Sequence, residues 1–183
     1  MLTNQQARDV LQQAELLHTA AEVQAAVARV AREINTALAD VHPLVLSVMG
    51  GAVVFTGQLL PLLDFPLDFD YVHVSRYGSN QQGGALHWKV EPRDNVRGKV
   101  VLVVDDILDE GETLAAVKQR VMDLGAAGFY CAVFADKLNG RDKPLRADFV
   151  GLELPDRFVF GFGMDIQGAW RNLPAIYAVP END

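Results

Sequence analysis

The sequence predicts an α/β domain built around a mostly parallel sheet. Its 183 residues are the length of one domain. Most of the predicted strands are continuous apolar, β-branched runs, which is typical of strands buried on both faces. Helical segments separate these strands, and that alternation indicates a parallel sheet covered by helices. The composition, 50% hydrophobic and 22% charged residues, excludes a disordered, collagen-like or low-complexity chain.

Residues 1–40 are predicted to be helical. Thr3-x-x-Gln6 and Thr19-x-x-Glu22 both fit the capping box, in which two backbone donors are satisfied reciprocally. Apolar residues spaced three and four apart follow the second box and form one stripe. Pro43 lies just beyond this stripe, so the second helix should end before it.

The rest of the chain alternates between strands and helices. In the core, 41–148, helices are predicted at 52–63 and 113–124 and strands at 44–48, 67–74, 86–90, 99–104 and 129–135. The polar, glycine-rich segment 76–84 is predicted to be a mobile loop. The C-terminal region, 149–183, is loop-rich with short strands at 149–154, 158–162 and 176–179. We therefore predict one domain over 1–183.

The net charge and the cysteine content restrict the classes of binding partner and the cellular compartment that we expect. The net charge is −8 and the basic residues are scattered, which argues against nucleic acid and anionic membranes as partners. Cys131 is the single cysteine and lies in an apolar run, so we expect a buried thiol in a reducing, cytoplasmic setting. The first ten residues lack the apolar core of a signal peptide. His18, His42, His73 and His87 show no metal-ligand spacing and are interpreted as structural or surface residues.

The segment 100–114, VVLVVDDILDEGETL, is the most informative for chemistry. A buried strand ends in Asp105 and Asp106, and a short loop leads to a helix starting near Thr113. Ligands of open α/β sheets bind at the carboxyl ends of strands, and a helix N-terminus suits a phosphate. Gly111 lets the backbone approach closely.

The aspartate pair at this strand end points to a sugar. Adjacent carboxylates suit the vicinal hydroxyls of a sugar, directly or through Mg²⁺. The segment therefore predicts a sugar-phosphate site. The alternative is that acidic residues only favour the start of a helix, which explains Glu110 and Glu112 but not Asp105 and Asp106.

This segment resembles the phosphoribosyl-pyrophosphate signature of the type I phosphoribosyltransferases. Four further motifs resemble the hypoxanthine-guanine branch: SVMGG at 47–51, SRYGS at 75–79, FADKL at 134–138, and FVGLELPDRFVFGFGMD at 149–165 followed by Arg171. The resemblance implies the type I phosphoribosyltransferase fold, a central mostly parallel sheet flanked by helices with a small hood formed largely by the C-terminal region. It implies transfer of ribose 5-phosphate from phosphoribosyl pyrophosphate to hypoxanthine and/or guanine, with Mg²⁺.

The resemblance also assigns roles within the segment 105–113. Asp105 and Asp106 would hold the ribose hydroxyls and the metal, and the loop of Asp109, Glu110, Gly111, Glu112 and Thr113 would bind the 5-phosphate. Asp109 matches the residue placed against the imidazole edge of the purine, where a carboxylate can accept the ring proton. A loop-capping role is the alternative for Asp109.

The resemblance also implies which residues bind the purine base and the pyrophosphate. Lys137 would donate to the six-oxo group of the purine, since an ammonium only donates, with a plain surface lysine as the alternative. Phe158 would stack on the base and Val159 would offer main-chain groups, with strand core as the alternative. Asp165 would contact metal and purine. The remaining roles implied are pyrophosphate binding by Met49, Gly50, Gly51 and Arg171 and loop closure by Arg76 and Tyr77. Many relatives carry Lys or Arg where this chain has Met49.

Two other functions remain open from the sequence. One is a phosphoribosyl-pyrophosphate-sensing regulator on the same fold, which the acidic charge balance disfavours. The other is a phospho-receiver domain, in which an aspartate pair lies near the N-terminus, whereas about a hundred residues precede Asp105 here. The resemblance further implies a homodimer or homotetramer, with the apolar segment 52–63 as a subunit contact.

Overall fold

A six-stranded sheet forms the centre of the protein, in a computed structural model that describes residues 1–76 and 86–180. The strand order is β4-β3-β2-β5-β6-β7; only β4 runs antiparallel, at the edge beside β3. The strands are β2 (Leu44–Met49), β3 (Asp68–Arg76), β4 (Leu86–Val90), β5 (Val100–Leu108), β6 (Gly128–Leu138) and β7 (Phe149–Pro155). This mostly parallel sheet confirms the predicted fold class.

Helices cover both faces of this sheet. On one face lie α2 (Ala20–Leu38) and α3 (Val53–Leu59), and on the other lies α4 (Glu112–Asp123). Alternate residues of β5 serve the two cores: Leu102 and Val104 pack with α2 and α3, whereas Val101 and Val103 pack with α4. Because both faces are buried, the strand is an unbroken apolar run.

Both predicted capping boxes form at the N-terminus. Thr3 caps α1 (Asn4–Gln13) and Thr19 caps α2, each with the reciprocal pair of hydrogen bonds. The prediction that residues 1–40 are helical throughout is wrong between these helices, where Glu15–His18 form strand β1. Its partner is β9 (Ile176–Ala178), and Glu15 pairs with Ala178. A four-residue strand whose partner lies at the far end of the chain carries no local pattern.

The hood is a second, three-stranded sheet with the order β1-β9-β8, where β8 is Val159–Phe160. It is therefore built from both ends of the chain, not from the C-terminal region alone. β8 is shorter than the predicted strand 158–162 because Gly161 and Phe162 both have positive φ angles, 100° and 50°. Phe162 is fully buried, and its ring lies 4.3 Å from that of Phe134 in β6, which joins the hood to the main sheet.

Several strands extend beyond their predicted ends, and β3 includes Arg76, which was predicted to lie in the loop 76–84; the extensions of β5 and β6 are the longest. β5 continues through Leu108 and β6 through Leu138, because the two strands keep pairing as far as Leu108 and Asp136. Asp105, Asp106 and Lys137 consequently lie within strands, rather than after them as the sequence indicated. In the part of the chain that the structure describes, no helix combines the length and the apolarity needed to cross a bilayer.

Candidate active site

A cavity of about 470 Å³ opens at the carboxyl ends of β2, β3 and β5, beside the N-terminus of α4. Most of the residues proposed for the site line this one cavity, although they come from four separate stretches of sequence. The predicted site residues that line it are Met49, Gly50, Gly51, Asp105, Asp106, Asp109, Glu110, Gly111, Thr113, Asp165 and Arg171.

The structure places the other predicted site residues outside this lining. Lys137 lies next to it, bound to Asp109, and Glu112 is the first residue of α4. Phe158 is 55% exposed at the edge of the hood, whereas Val159 is buried in β8 and pairs with β9. Arg76 is the last residue of β3, and Tyr77 falls outside the described residues.

Asp105, which is buried, and Asp106, which is half-buried, form a carboxylate pair in the floor of the cavity. Asp105 Oδ1 accepts the N–H of Asp106 at 2.9 Å, and Asp106 Oδ1 accepts the N–H of Ile107 at 2.9 Å. Burial, together with the neighbouring Asp106, raises the pKa of Asp105 well above its ordinary value. Burial also raises the pKa of Asp106, although its hydrogen bonds and the positive charge of Arg171 act to lower it. Because both carboxylates are harder to ionise than in water, a bound cation would stabilise their charged forms.

Replacing Asp105 by Asn should stabilise the metal-free protein at neutral pH. A raised pKa means that ionised Asp105 destabilises the fold once the pH exceeds its unfolded value, about 4. We expect Asp105→Asn to raise the free energy of unfolding by about 1 kcal/mol or more near pH 7, and to have no such effect below about pH 4. Urea unfolding with a chelator present measures this, with the exposed Asp64→Asn as control. Equal gains at both pH values would contradict the expectation.

Glycines at two turns allow three chain segments to meet behind the aspartates. A Cβ atom on Gly51 would overlap the carboxylate of Asp106, and a Cβ on Gly163 would overlap the carbonyl oxygen of Gly51. Gly163 also has a φ of 104°, which favours glycine. The turn after β2 therefore packs directly against the Asp106 side chain of β5 and against the backbone at Gly163, and these contacts fix the position of Asp106.

The loop after β5 is held by side chains from the end of β6. Lys137 Nζ donates to Asp109 Oδ2 at 2.8 Å, and Asn139 Nδ2 donates to the Asp109 carbonyl at 3.0 Å. Lys143 Nζ donates to the carbonyl of Leu108 at 2.8 Å, to the carbonyl of Lys137 at 2.6 Å and to the Asp136 carboxylate at 2.5 Å. The sequence reasoning missed Asn139 and Lys143. The polar run after β6 was the available signal, since parallel strands bring their carboxyl ends to one edge.

Gly111 forms the transition from this loop into α4. It occupies the N-cap position with a φ of 81° and makes no side-chain capping bond. The first turn of α4 therefore begins at the cavity wall, where Gly111 and Thr113 lie. Glu110 pairs with Arg141 at 3.2 Å, on the loop that follows β6. An anion approaching the helix would meet backbone donors that favour it.

Arg171 reaches the cavity from the loop between β8 and β9. Its guanidinium contacts Asp165 Oδ1 at 2.5 Å and donates to the carbonyl of Gly163 at 2.6 Å. Asp165 Oδ2 accepts the N–H of Gly168 at 2.6 Å. Both oxygens of Asp165 are thus engaged within the protein, and in this arrangement they orient Arg171.

His73 and Ser75 of β3 also line the cavity. The sequence analysis interpreted all four histidines as structural or surface residues and did not place His73 at the cavity. The missed signal was the order of the strands, since β3 lies directly beside β2 and both end at the cavity. Among residues 1–76 and 86–180, no group of three or more His, Cys, Asp or Glu side chains is arranged to hold a metal by itself.

The comparisons with known proteins agree with this geometry. The model of the phosphoribosyl transferase domain family matches residues 13–167. The chain is 34% identical over 156 residues to the hypoxanthine-guanine phosphoribosyltransferase of Bacillus subtilis (strain 168), covering 85% of this chain and 87% of the relative. It is 31% identical over 170 residues to the hypoxanthine-guanine-xanthine phosphoribosyltransferase of Tritrichomonas foetus, covering 91% and 92%.

Solved structures show the same relationship. A crystal structure of a hypoxanthine-guanine phosphoribosyltransferase from Bacillus anthracis superimposes with a TM-score of 0.84 at 29% identity, covering 91% of this chain and 98% of that one. The agreement covers both the main sheet and most of the matched sequence. This chain belongs to the phosphoribosyltransferase family, in the branch of the hypoxanthine-guanine phosphoribosyltransferases.

Proposed function

We propose that the protein transfers ribose 5-phosphate from phosphoribosyl pyrophosphate to a six-oxopurine, hypoxanthine and/or guanine, releasing pyrophosphate and forming IMP and/or GMP. The observation that carries the proposal is one cavity that combines the Asp105–Asp106 pair, the N-terminus of α4 and the Asp109–Lys137 ion pair at its border. The aspartate pair suits a sugar, the helix N-terminus suits a phosphate, and the ion pair suits a purine. The names of the relatives support the same reaction.

The 5-phosphate fits the loop 109–113. Backbone N–H groups at the start of α4 and the Thr113 hydroxyl supply donors, and the positive φ of Gly111 keeps a side chain out of the loop. Glu110, by its pairing with Arg141, contributes a partly neutralised carboxylate. The helix has twelve residues, so its N-terminus carries the partial positive charge of a full helix dipole.

The ribose fits the Asp105–Asp106 pair, with Mg²⁺. The described residues offer two adjacent carboxylates and no complete metal cage, which is the donor set of a cation that keeps substrate oxygens as ligands. Asp105 and Asp106 would hold this cation, and Asp165 stands across the cavity as a third carboxylate. Mg²⁺, when bound, neutralises the leaving pyrophosphate.

The base fits the border of the cavity at Lys137 and Asp109. The Lys137 ammonium donates to a six-oxo group but repels the six-amino group of adenine, which is also a donor. Asp109, next to it, accepts the proton that the imidazole ring loses as the new bond forms. Phe158 offers an exposed ring for stacking, and Val159 offers main-chain groups.

The pyrophosphate fits the turn of Met49, Gly50 and Gly51 together with Arg171, whose planar fork of donors suits it. Cleavage at the anomeric carbon runs ahead of bond formation, through an oxocarbenium-like state. The Asp105 and Asp106 carboxylates hold the ribose while the charge develops.

The direct test offers hypoxanthine, guanine, xanthine and adenine separately, with phosphoribosyl pyrophosphate and Mg²⁺, and follows nucleotide formation. Product from six-oxopurines and not from adenine is the expected result. Binding of phosphoribosyl pyrophosphate without product from any base would favour the regulator alternative, and a nucleic-acid shift assay at low salt would then test that. A chelator should abolish product formation, and added Mg²⁺ should restore it.

Lys137→Ala should remove most of the discrimination between hypoxanthine and adenine. The variant loses the ammonium proposed to donate to position six, so we expect the ratio of kcat/KM for the two bases to fall by about 10- to 100-fold. Steady-state kinetics with both bases measures this ratio. The control is Lys99→Ala, which removes an exposed lysine paired with Asp68 at the opposite end of β5. An unchanged ratio would remove Lys137 from base recognition.

We also propose that the protein acts as a homo-oligomer in the cytoplasm. Phe69 and Tyr71 on β3 and Val53 on α3 are large apolar side chains that stay 47%, 38% and 46% exposed. Val53 belongs to the segment 52–63 that the sequence indicated as a subunit contact. The single cysteine, Cys131, is buried, and burial raises the pKa of its thiol, which suits a reducing setting. Sedimentation equilibrium tests the oligomeric state, and a monomer would refute it.

A further inference from the structure

We propose that His73 is a further binding residue for pyrophosphate and supplies a positive charge at the end of the cavity where β2 and β3 terminate. The inference rests on the proposed function, because it assigns a residue to the leaving group of that reaction. Met49 and His73 are paired in the parallel register of β2 and β3, and both line the cavity. The turn of Gly50 and Gly51 follows directly, so His73 lies beside the backbone amides proposed to meet the pyrophosphate.

The charges around the cavity give the first reason. Five carboxylates line it in the described part of the chain: Asp105, Asp106, Asp109, Glu110 and Asp165. Arg171 is the permanent cation among the described lining residues, and Asp165 already contacts its guanidinium. Beside the Mg²⁺ proposed above, this wall offers the negative charges of pyrophosphate one cation that is already paired, so a further positive charge would strengthen binding. His73 is the remaining side chain of the described lining that can become cationic.

The surroundings of His73 give the second reason. From β4, Lys89 is the charged group that acts on His73, and β2 contributes the uncharged Met49. Asp105 and Asp106 lie on the same cavity from β5. Partial burial and the Lys89 cation lower the pKa of His73 below its ordinary value, so the free protein holds a neutral imidazole at neutral pH. Before pyrophosphate binds, His73 therefore adds no second positive charge to the described lining of the cavity, beside that of Arg171.

An arriving anion reverses this balance. Pyrophosphate next to the imidazole favours the protonated form, which then donates a charge-assisted hydrogen bond to a phosphate oxygen. The proton comes from solvent on binding and returns when pyrophosphate leaves. Binding of pyrophosphate through His73 is consequently coupled to proton uptake and becomes tighter as the pH falls.

Calorimetric titration of the full chain with magnesium pyrophosphate tests the inference without any turnover. We expect His73→Gln to weaken binding by about tenfold near pH 6 and by much less near pH 8.5, because only the cation is lost. His42→Gln, at the opposite end of β2, is the matched control and corrects for the titration of the ligand itself. His73→Lys should keep tight binding at both pH values, which a purely structural role of His73 would not produce.

The outcomes separate this inference from the proposed reaction. Equal affinities of wild type and His73→Gln at both pH values, in a protein that makes nucleotide, overturn the role of His73 alone. Binding that depends on His73, in a protein that makes no nucleotide, supports the inference while the proposed reaction fails. No binding of magnesium pyrophosphate by the wild-type protein overturns the inference. Thermal unfolding of each variant confirms that the fold is intact.

Discussion

Asp109→Asn should lower kcat by about 100-fold or more while changing the KM for hypoxanthine by less than about threefold. The amide keeps the shape of the side chain and its contact with Lys137, which lies 2.8 Å from Asp109 Oδ2. It does not accept the proton that the purine ring loses, so the effect falls on the chemical step. Steady-state kinetics with hypoxanthine measures both parameters.

Glu110→Gln is the matched control for this variant. Glu110 is the next residue in the same loop, but its carboxylate pairs with Arg141 rather than with Lys137. We expect its kcat to stay within about threefold of the wild-type value. If Asp109→Asn turned over at the wild-type rate, Asp109 would be a loop-capping residue, as the alternative interpretation holds.

Gly51→Ala should damage both the stability of the protein and the floor of the cavity. The new Cβ would overlap the Asp106 carboxylate, which must move, and the carboxylate floor of the cavity moves with it. We expect a loss of about 1–3 kcal/mol in the free energy of unfolding. We also expect kcat/KM for phosphoribosyl pyrophosphate to fall by about 100-fold, because misplacement by about an ångström has that effect on a catalytic site.

Gly50→Ala provides a sharp control for this substitution. The two glycines are adjacent, yet a Cβ on Gly50 would have no atom within 4 Å among the described residues. Its free energy of unfolding should stay within about 0.5 kcal/mol of the wild-type value. Urea unfolding and steady-state kinetics on both variants make the comparison. Similar losses of stability in both would show that the turn backbone, and not Asp106, is what the methyl group disturbs.

The features predicted well from the sequence are those with a local signal. The two N-terminal capping boxes, the apolar runs of the strands and the start of α4 each depend on a few consecutive residues, so composition and spacing were sufficient. Strand ends were predicted less well. The apolar pattern stops at Asp105, but the pairing with β6 continues through Leu108. Charged residues at an active site remain in a strand when their neighbours hold the backbone there.

The features missed from the sequence depend on which strands become neighbours. Asn139 and Lys143 hold the loop of Asp109 only because β6 lies beside β5. His73 reaches the cavity only because β3 lies beside β2. Strand order is set by packing across the whole sheet, and the spacing of residues along the chain does not encode it.

The pairing of β1 with β9 imposes an order on folding during synthesis. The ribosome releases residues 15–18 long before their partner strand at 176–178. All strands of the main sheet, through β7, emerge before β9, which is the middle strand of the hood. Domains fold as they emerge, so the main sheet can form while the nascent chain still lacks a closed hood. The hood therefore closes only after residues 176–178 have left the ribosome.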